Sequence, residues 1–221
     1  MNQIAEELRT RHNVQTKILV KDLASPTAAQ ETFDACRDTP IAVLVNNAGF
    51  GLHGPFVKGD LRAQVDVMQV NMTALVQLTH LFVQPMLSRG HGRIMNVAST
   101  AAFQPGPFIN VYYASKAFVH SFSYALSEEL KDSGITVTAF CPGPTNTDFF
   151  KRGHLSPIRG PFMMEADDVA RIGYRGLMKG KRVVIPGLTN KILSAISKRM
   201  PVRITTAAVA RVHAYIDPAR H

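Results

Sequence analysis

Continuous apolar runs that end in polar or turn-forming residues constrain this chain more than any other feature. Ile41–Val45 leads directly into two asparagines, and Ile135–Cys141 leads into Pro142-Gly143. A strand that is apolar on both sides belongs in a parallel sheet covered on both faces. Longer segments with apolar residues at helical spacing separate the runs. The sequence therefore predicts an α/β protein with a doubly wound parallel sheet.

The same patterns place the other elements. Strands are predicted at Thr16–Val20, Ile41–Val45, Gly92–Ser99, Ile135–Cys141 and Val183–Pro186. Helices are predicted at Asn2–His12, Thr27–Cys36, Leu61–Met86, from Asn110 or Val111 to about Ser133, at Asp167–Lys179, and in two weakly amphipathic segments after Thr189 that Pro201 separates. We expect one domain over residues 1–221, with a core over about 1–190 and a basic helical extension over 190–221.

The predicted helix Leu61–Met86 is apolar along two sides. One line begins with Leu61 and Val65, and the other begins with Val67 and Val70. A helix that is apolar on two sides is buried on two sides. The sheet covers one side, and the other fits either a second subunit or the core of the same chain.

Three residues in the middle of the chain are suited to proton transfer. Tyr112 and Lys116 are four positions apart, so on a helix they share one face. A neighbouring ammonium favours the phenolate, which predicts a pKa for Tyr112 below the usual value of ~10. Ser99, at the end of a predicted strand, can hold a carbonyl oxygen while the phenol gives or takes a proton. Tyr113 is a rival phenol, but the residue four positions on is Ala117, which carries no charge.

Gly49–Gly54 matches the Gly-x-Gly-x-x-Gly pattern of dinucleotide-binding loops. In such loops the pattern follows a strand and opens a helix directly, with an acidic residue about 20 positions on at the end of the next strand. Here Pro55 interrupts the pattern, and the later region is predicted to be helical. We therefore interpret Gly49–Gly54 as a flexible loop that does not hold a diphosphate.

In this order, the motifs resemble those of the short-chain dehydrogenase/reductase family, classical type. They are Asn46-Asn47-Ala48-Gly49 after a strand, Asn71 in a helix, Ser99, Tyr112-x-x-x-Lys116, and Pro142-Gly143 with Thr145 and Thr147 after it. The resemblance covers about residues 1–190. It implies a Rossmann-like, NAD(P)-dependent oxidoreductase that interconverts a carbonyl and an alcohol by hydride transfer.

The resemblance also implies a role for each residue. In the catalytic tetrad, Tyr112 is the general acid/base, Lys116 lowers its pKa and reaches the cofactor ribose, Ser99 orients the substrate, and Asn71 holds a water in the proton relay. The nicotinamide supplies the hydride chemistry. The residues expected to bind NAD or NADP are Asp22, Leu23, Asn46, Ala48, Gly49, Tyr112, Lys116, Pro142, Gly143, Thr145 and Thr147.

Two further expectations follow from the resemblance. The turn-rich segment Phe149–Pro161 lies where the family has a mobile substrate lid, and an apolar small-molecule substrate is suggested by Phe149, Phe150, Phe162, Met163 and Met164. The resemblance also favours a subunit interface for the two-sided helix, and therefore a homodimer or homotetramer.

The family's first strand, glycine-rich loop, helix and second strand have no counterpart before Thr16. Those parts hold the diphosphate at a helix N-terminus. Either the native protein starts upstream of Met1, or this is a short form that does not bind cofactor normally. The second reading makes a non-catalytic interaction protein or an inactive fragment the alternative function. We expect Thr16–Val20 either to pair with Ile41–Val45 or to leave that strand as an exposed apolar edge.

Composition and charge bear on the class of protein and on its partners. Hydrophobic residues make up 46% and charged residues 19%, which is ordinary for a globular domain. The net charge is +9, and from Lys181 onward eight Lys and Arg face one Asp. A basic end could contact nucleic acid or an anionic membrane, but no nucleic-acid motif accompanies it, so we interpret it as a solvated tail.

The cysteines bear on the cellular location, the histidines on metal binding, and the apolar runs on membrane segments. Cys36 and Cys141 form no Cys-x-x-Cys pair, which predicts reduced thiols and a cytoplasmic location. No histidine spacing typical of a metal site and no long apolar run occur. We therefore expect neither a metal site nor an integral membrane segment.

Overall fold

The computed structural model describes residues 1–149 and 163–216, with only the backbone of residues 215 and 216. Its strands are β1 Val43–Asn46, β2 Gly92–Val97, β3 Ile135–Phe140, β4 Thr145–Asn146, β5 Met164–Glu165 and β6 Val183–Val184. The main sheet has the order β1-β2-β3-β6, and every neighbouring pair is parallel. The short strands β4 and β5 form a separate parallel pair. The predicted parallel α/β architecture is confirmed.

The predicted helices are all present. They are α1 Asn2–His12, α2 Ala28–Ala35, α3 Leu61–Met68, α4 Leu75–Arg89, α5 Asn110–Glu129, α6 Ala166–Met178, α7 Leu188–Ser197 and α8 Val202–Ile216. Helix α5 ends at Glu129, earlier than predicted, and turns lead from there to Gly134, whose φ of 78° suits glycine. Helices α3 and α4 are joined without a break by a π-helical segment, Gln69–Ala74.

Helices cover both faces of the sheet. Neighbouring residues of β2 show this, because successive side chains of a strand point to opposite faces. Ile94 packs in a cluster with Met86 of α4, whereas Met95 packs with Val169 of α6. The carboxyl ends of β2 and β3 therefore lie between helical layers, where ligands bind in open α/β sheets.

The π-helical segment changes which side of the long helix is buried. Leu61 and Val65, before it, are 71% and 50% exposed, whereas Phe82 and Met86, after it, are buried. A regular α-helix would keep these residues on one face, but the wider turn shifts the helix between the two parts. The π segment also holds Asn71 in the interior, at 1% exposure.

The predicted strand Thr16–Val20 is wrong. In the described chain these residues pair with no strand, and Val20 is 79% exposed. The segment lies against α2 through side chains instead, since Lys17 donates a hydrogen bond to the Ala35 carbonyl. A strand needs a neighbour for its backbone hydrogen bonds, and β1 does not supply one here. The predicted exposed edge is confirmed, because Val43 and Val45 of β1 are 38% and 48% exposed.

Candidate active site

The site lies at the carboxyl ends of β2 and β3, against the first turns of α5. Ser99 follows β2 directly, while α5 carries Tyr112 and Lys116. All three residues line one cavity of about 550 Å³. The sequence-predicted association of these three side chains is therefore present in the folded chain.

The Ser99 hydroxyl lies close enough to the Tyr112 phenol to lower the pKa of that phenol. The Ser99 hydroxyl also accepts from the Ala101 N–H at 3.1 Å and donates to the Pro142 carbonyl at 3.3 Å. The second bond is long, so this hydroxyl is weakly held and can turn toward a ligand. The backbone of Gly51 packs against the Tyr112 ring, since a Cβ added at Gly51 would lie 2.9 Å from Tyr112 Cγ. This close packing limits the movement of the ring.

The expected lowering of the Tyr112 pKa is not found. Burial raises the pKa of the phenol to about 12, and the hydrogen bond with Ser99 lowers it by less. The ammonium of Lys116 lies 5.6 Å from the centre of the Tyr112 ring, and burial is the largest influence on the pKa of the phenol. Tyr112 is therefore protonated at neutral pH.

Lys116 is a buried cation tied to the sheet. Its side chain is 5% exposed, and its Nζ donates a hydrogen bond of 2.7 Å to the Val97 carbonyl at the end of β2. Burial lowers its pKa to about 8. An ammonium has three donors, so the bond to Val97 leaves two for other partners.

Asn71 connects the loop after β1 to helix α5. Its Nδ2 donates to the Phe50 carbonyl and to the Ser115 hydroxyl, both at 2.9 Å, while its Oδ1 accepts from the Phe50 N–H at 3.1 Å. Ser115 in turn donates to the Tyr112 carbonyl. Both N–H groups of Asn71 are thus engaged within the protein, which leaves one lone pair of Oδ1 for a water. The role of Ser115 was missed by the sequence reasoning, which had no signal for it.

Most of the residues predicted to bind the cofactor line two neighbouring cavities. Pro142, Gly143, Thr145 and Thr147 line the cavity that holds Tyr112. A second cleft of about 500 Å³ is lined by Asp22, Leu23, Ala48 and Gly49, among others. The two share the wall formed by Asn47, Gly49 and Phe50. Apart from Asn46, the predicted residues therefore line one or both of two cavities that share a wall.

Asn46 is the exception in this set. Its Nδ2 donates to Thr79 at 2.9 Å and to Asn96 at 2.8 Å, and the side chain is buried at 7% exposure. Asn46 lines neither cavity. Its side chain joins β1 to β2 and α4, and this fixes the strand end from which Ala48 and Gly49 continue.

At Gly49 the backbone comes close to Asn71 and Lys116, since an added Cβ would lie 3.0 Å from Asn71 Oδ1 and 3.3 Å from Lys116 Nζ. The loop interpretation of Gly49–Gly54 is confirmed, because Pro55 and a short 3₁₀ turn, Phe56–Lys58, follow it. Within the described chain this loop offers no helix N-terminus for a diphosphate.

The cavity that Tyr112 lines is also lined by His213, from the C-terminal extension. Its Nε2 lies 3.1 Å from the Tyr113 hydroxyl. Sequence reasoning treated Tyr113 only as a rival to Tyr112 and assigned no role to any histidine. The contact joins residues 100 positions apart, so no local pattern could have shown it.

Three of the five apolar residues predicted near the substrate lie within the described chain. The Phe149 ring lies 5.2 Å from the Tyr112 ring, and Met163 packs in the cluster around Ile109. Met164 belongs to β5 and packs with the cluster around Phe140. The predicted lid from residue 150 onward, with Phe150 and Phe162, lies outside the described residues.

The described part of the chain also bears on metal sites and membrane segments. It contains no group of three or more His, Cys, Asp or Glu side chains placed to hold a metal ion. None of its helices has the length and apolar character needed to cross a membrane. Cys36 and Cys141 are free thiols.

A parallel sheet covered by helices on both faces, with Ser99, Tyr112 and Lys116 beside a cavity at its carboxyl edge, defines a Rossmann-like fold. The chain belongs to the short chain dehydrogenase family, whose model matches residues 1–155.

Named relatives agree with this assignment. The chain is 29% identical over 218 residues to 17-beta-hydroxysteroid dehydrogenase type 3 of Mus musculus, covering 96% of this chain and 68% of that protein. It is 35% identical over 150 residues to very-long-chain 3-oxoacyl-CoA reductase of Anas platyrhynchos, covering 64% of this chain and 47% of that protein. The chain thus spans between about half and two thirds of these two relatives' lengths.

A solved structure extends the comparison. The chain is 28% identical to a short-chain dehydrogenase from Sphingobium yanoikuyae in complex with NADPH, with a TM-score of 0.80. The match covers 90% of this chain and 82% of that one.

Proposed function

We propose that the protein is an NAD(P)-dependent oxidoreductase that interconverts a ketone and an alcohol, with Tyr112 as general acid/base. One observation carries this proposal: the Tyr112 phenol, the Ser99 hydroxyl and the Lys116 ammonium meet at one cavity wall. This is the set of groups needed to hold a carbonyl oxygen and protonate it. The named relatives are dehydrogenases and reductases, which supports the same reaction class.

Each side chain has a distinct task in this reaction. A bound nicotinamide supplies the hydride chemistry. Ser99, weakly bonded to Pro142, turns its hydroxyl to the carbonyl oxygen of the substrate. Tyr112 donates its proton to that oxygen, and its raised pKa favours the protonated form that reduction requires. Asn71 acts as a positioning residue, because it ties the loop at Phe50 to α5.

Lys116 has a double task. Its charge favours the phenolate that Tyr112 becomes after proton transfer. Its two free donors suit the hydroxyls of a nicotinamide ribose, while Thr145 and Thr147 suit the carboxamide. Asp22, Leu23 and Ala48 border the adenosine part. NADPH in the Sphingobium yanoikuyae relative supports a cofactor of the NAD or NADP type.

The substrate is a bulky, largely apolar ketone or the matching alcohol. The cavity of about 550 Å³ is large enough for a fused-ring or long-chain molecule. Much of its wall is aromatic or aliphatic, including Phe50, Ile109, Tyr113 and Phe149. Steroid and long-chain acyl groups in the names of the relatives are consistent with this class.

The test is turnover with NADH or NADPH and a panel of bulky ketones, with the alcohol product identified by mass spectrometry. The 221 residues alone are expected to bind either nucleotide poorly and to turn over little, because no part before Thr16 matches the family's diphosphate-binding segment. The same residues preceded by a strand, glycine-rich loop, helix and strand of the family should consume one nucleotide in step with alcohol formation. If neither form of the protein binds nucleotide or forms alcohol, the chain is instead the non-catalytic alternative, an interaction protein or an inactive fragment.

We also propose self-association through the exposed face of α3. Leu61, Val65 and Met68 of this face are 71%, 50% and 44% exposed, and such apolar patches mark interaction sites. Val65→Glu should convert a sedimenting dimer or tetramer to monomers. Arg62→Glu, an exposed change on the same helix, is the control and should retain the assembly. A wild-type protein that sediments as a monomer at micromolar concentration contradicts this proposal.

A further inference from the structure

The far wall of the cavity holds a polar cluster that the proposed mechanism does not use. Tyr113 and His213 both line the cavity, and the Tyr113 hydroxyl lies 3.1 Å from His213 Nε2. The His53 ring lies behind them, with its centre 5.7 Å from that of His213. Helix α5, the loop after β1 and helix α8 each contribute one side chain, so the cluster exists only in the folded chain.

The cluster is buried, and its hydrogen bonding is incomplete. His213 is 5% exposed, and its Nδ1 has no hydrogen-bond partner among the described residues. The same holds for His53 Nε2. Buried polar atoms in folded proteins are nearly always paired. Here two unpaired nitrogens lie just behind the cavity surface that Tyr113 and the His213 ring form, so this part of the wall has hydrogen-bonding capacity that the described residues do not use. The backbone of Gly106 lies against the Tyr113 ring, since a Cβ added at Gly106 would be only 2.3 Å from it. This close contact limits the movement of the ring.

Charge narrows the kind of group that this cluster can bind. Burial, and secondarily the neighbouring His53, lowers the pKa of His213 to about 4, so its imidazole is neutral at pH 7. A neutral imidazole offers one donor or one acceptor at each nitrogen, and so does a phenol. Among the described residues that line the cavity, Lys116 is the only Lys or Arg, and it lies at the catalytic end. The far wall therefore suits an uncharged oxygen better than a carboxylate or a phosphate.

We propose that Tyr113 and His213, with His53 behind them, bind a second uncharged oxygen, a hydroxyl or a ketone, at the far end of the substrate. The ring centres of Tyr112 and Tyr113 are 6.1 Å apart, and those of Tyr113 and His213 are 5.7 Å apart. The substrate is thus an apolar molecule with oxygens at both ends. This inference rests on the proposed function, because it takes the bound molecule to be the substrate of that reaction.

The experiment compares two ligands that differ in the second oxygen alone. Androstanedione carries a ketone at each end of its ring system, and androstanone has the same rings with one ketone. Binding to the purified chain would be measured by titration calorimetry without nucleotide, so the result does not depend on turnover. We expect the diketone to bind roughly tenfold more tightly, as one additional hydrogen bond allows.

Variants test which residues cause the difference in affinity between the diketone and the monoketone. His213→Leu should reduce the affinity for the diketone to that for the monoketone and leave the monoketone nearly unaffected. His213→Gln, which keeps a hydrogen-bonding group, should restore part of the preference, and Tyr113→Phe should weaken it. His120→Leu is the matched control, because His120 Nε2 is also buried and unpaired but His120 does not line the cavity. It should retain the wild-type preference.

The outcomes separate this inference from the proposed function. Equal affinity of the wild-type chain for both ketones, or binding of neither, overturns the inference whether or not the variants fold. Loss of the preference in His120→Leu as well overturns the assignment to His213. Absence of nucleotide-dependent turnover from both forms of the protein, with a retained preference for the diketone, overturns the proposed function and leaves the second binding group in place.

Discussion

The two polar ends of the cavity are built in different ways. At the catalytic end, backbone atoms of the sheet and its loops hold the side chains: Lys116 bonds to the Val97 carbonyl, and Ser99 bonds to that of Pro142. At the far end, side chains hold one another, as in the pair Tyr113 and His213, and a nitrogen of His213 stays unpaired among the described residues.

This difference distinguishes contacts that the sheet itself places from contacts that depend on particular side chains. Val97 and Pro142 are backbone partners at the ends of neighbouring parallel strands, so any sequence with this sheet places them alike. The contact between α5 and α8 depends on two particular side chains. We therefore expect changes at the catalytic end to abolish the reaction and changes at the far end to alter which molecule reacts.

Exchange of each tyrosine tests this contrast most strongly. Tyr112→Phe removes the proton donor and should lower kcat by about 10²- to 10⁴-fold, with little change in nucleotide affinity. Tyr113→Phe removes one hydrogen bond to His213 and should cost less than about tenfold. Steady-state kinetics with one ketone would show this, and similar losses in both variants would contradict the assignment of Tyr112.

The pH dependence of stability tests the burial of Lys116. Its pKa is lowered from 10.5 to about 8, so between these values the unfolded chain binds the proton and the folded chain does not. The free energy of unfolding should therefore rise with pH across this window relative to Lys116→Met, by on the order of 3 kcal/mol, and stay level below it.

The measurement is urea denaturation at several pH values within that window. The difference between wild type and Lys116→Met is the informative quantity, since burial also raises the pKa of Cys141 and opposes the trend in the wild type alone. Lys191→Met, at an exposed position, is the control and should show no such slope. A level difference for Lys116→Met would show that its charge is not buried.

A smaller effect is expected where the loop after β1 is held in place. Asn71→Ala leaves the Phe50 N–H and carbonyl without their partner and should lower the free energy of unfolding by about 1–3 kcal/mol. Ser115→Ala removes one of the three bonds of Asn71 and should cost less than about 1 kcal/mol. Urea denaturation compares the two, and equal losses would argue against Asn71 as the residue that holds the loop.

The sequence predicted the elements that depend on residues close together along the chain. The apolar runs identified β2 and β3, and the four-residue spacing of Tyr112 and Lys116 placed both on one face of α5. Thr16–Val20 has the composition of a strand, but a strand also needs a neighbour, and none of the described strands pairs with this segment. Composition alone cannot show this.

The rest of the site depends on tertiary structure. The pKa of Tyr112 follows mainly from its burial, which the spacing of Tyr112 and Lys116 does not show. His213 reaches Tyr113 across 100 positions of sequence. The apolar spacing of Leu61–Met86 fits a regular helix, so it gave no indication of the π-helical segment in its middle.

That π-helical segment has a consequence for changes in chain length. A π turn contains one residue more than the α turn it replaces, so deletion of a single residue within Gln69–Ala74 would allow a regular α-helix. The deletion would also rotate α3 against α4 by about 100°. Asn71 would leave the interior, and the exposed face of Leu61 and Val65 would point elsewhere. The loss of one residue from this segment should therefore remove both the loop anchor and the outer apolar face, whereas Asn71→Ala removes the anchor alone.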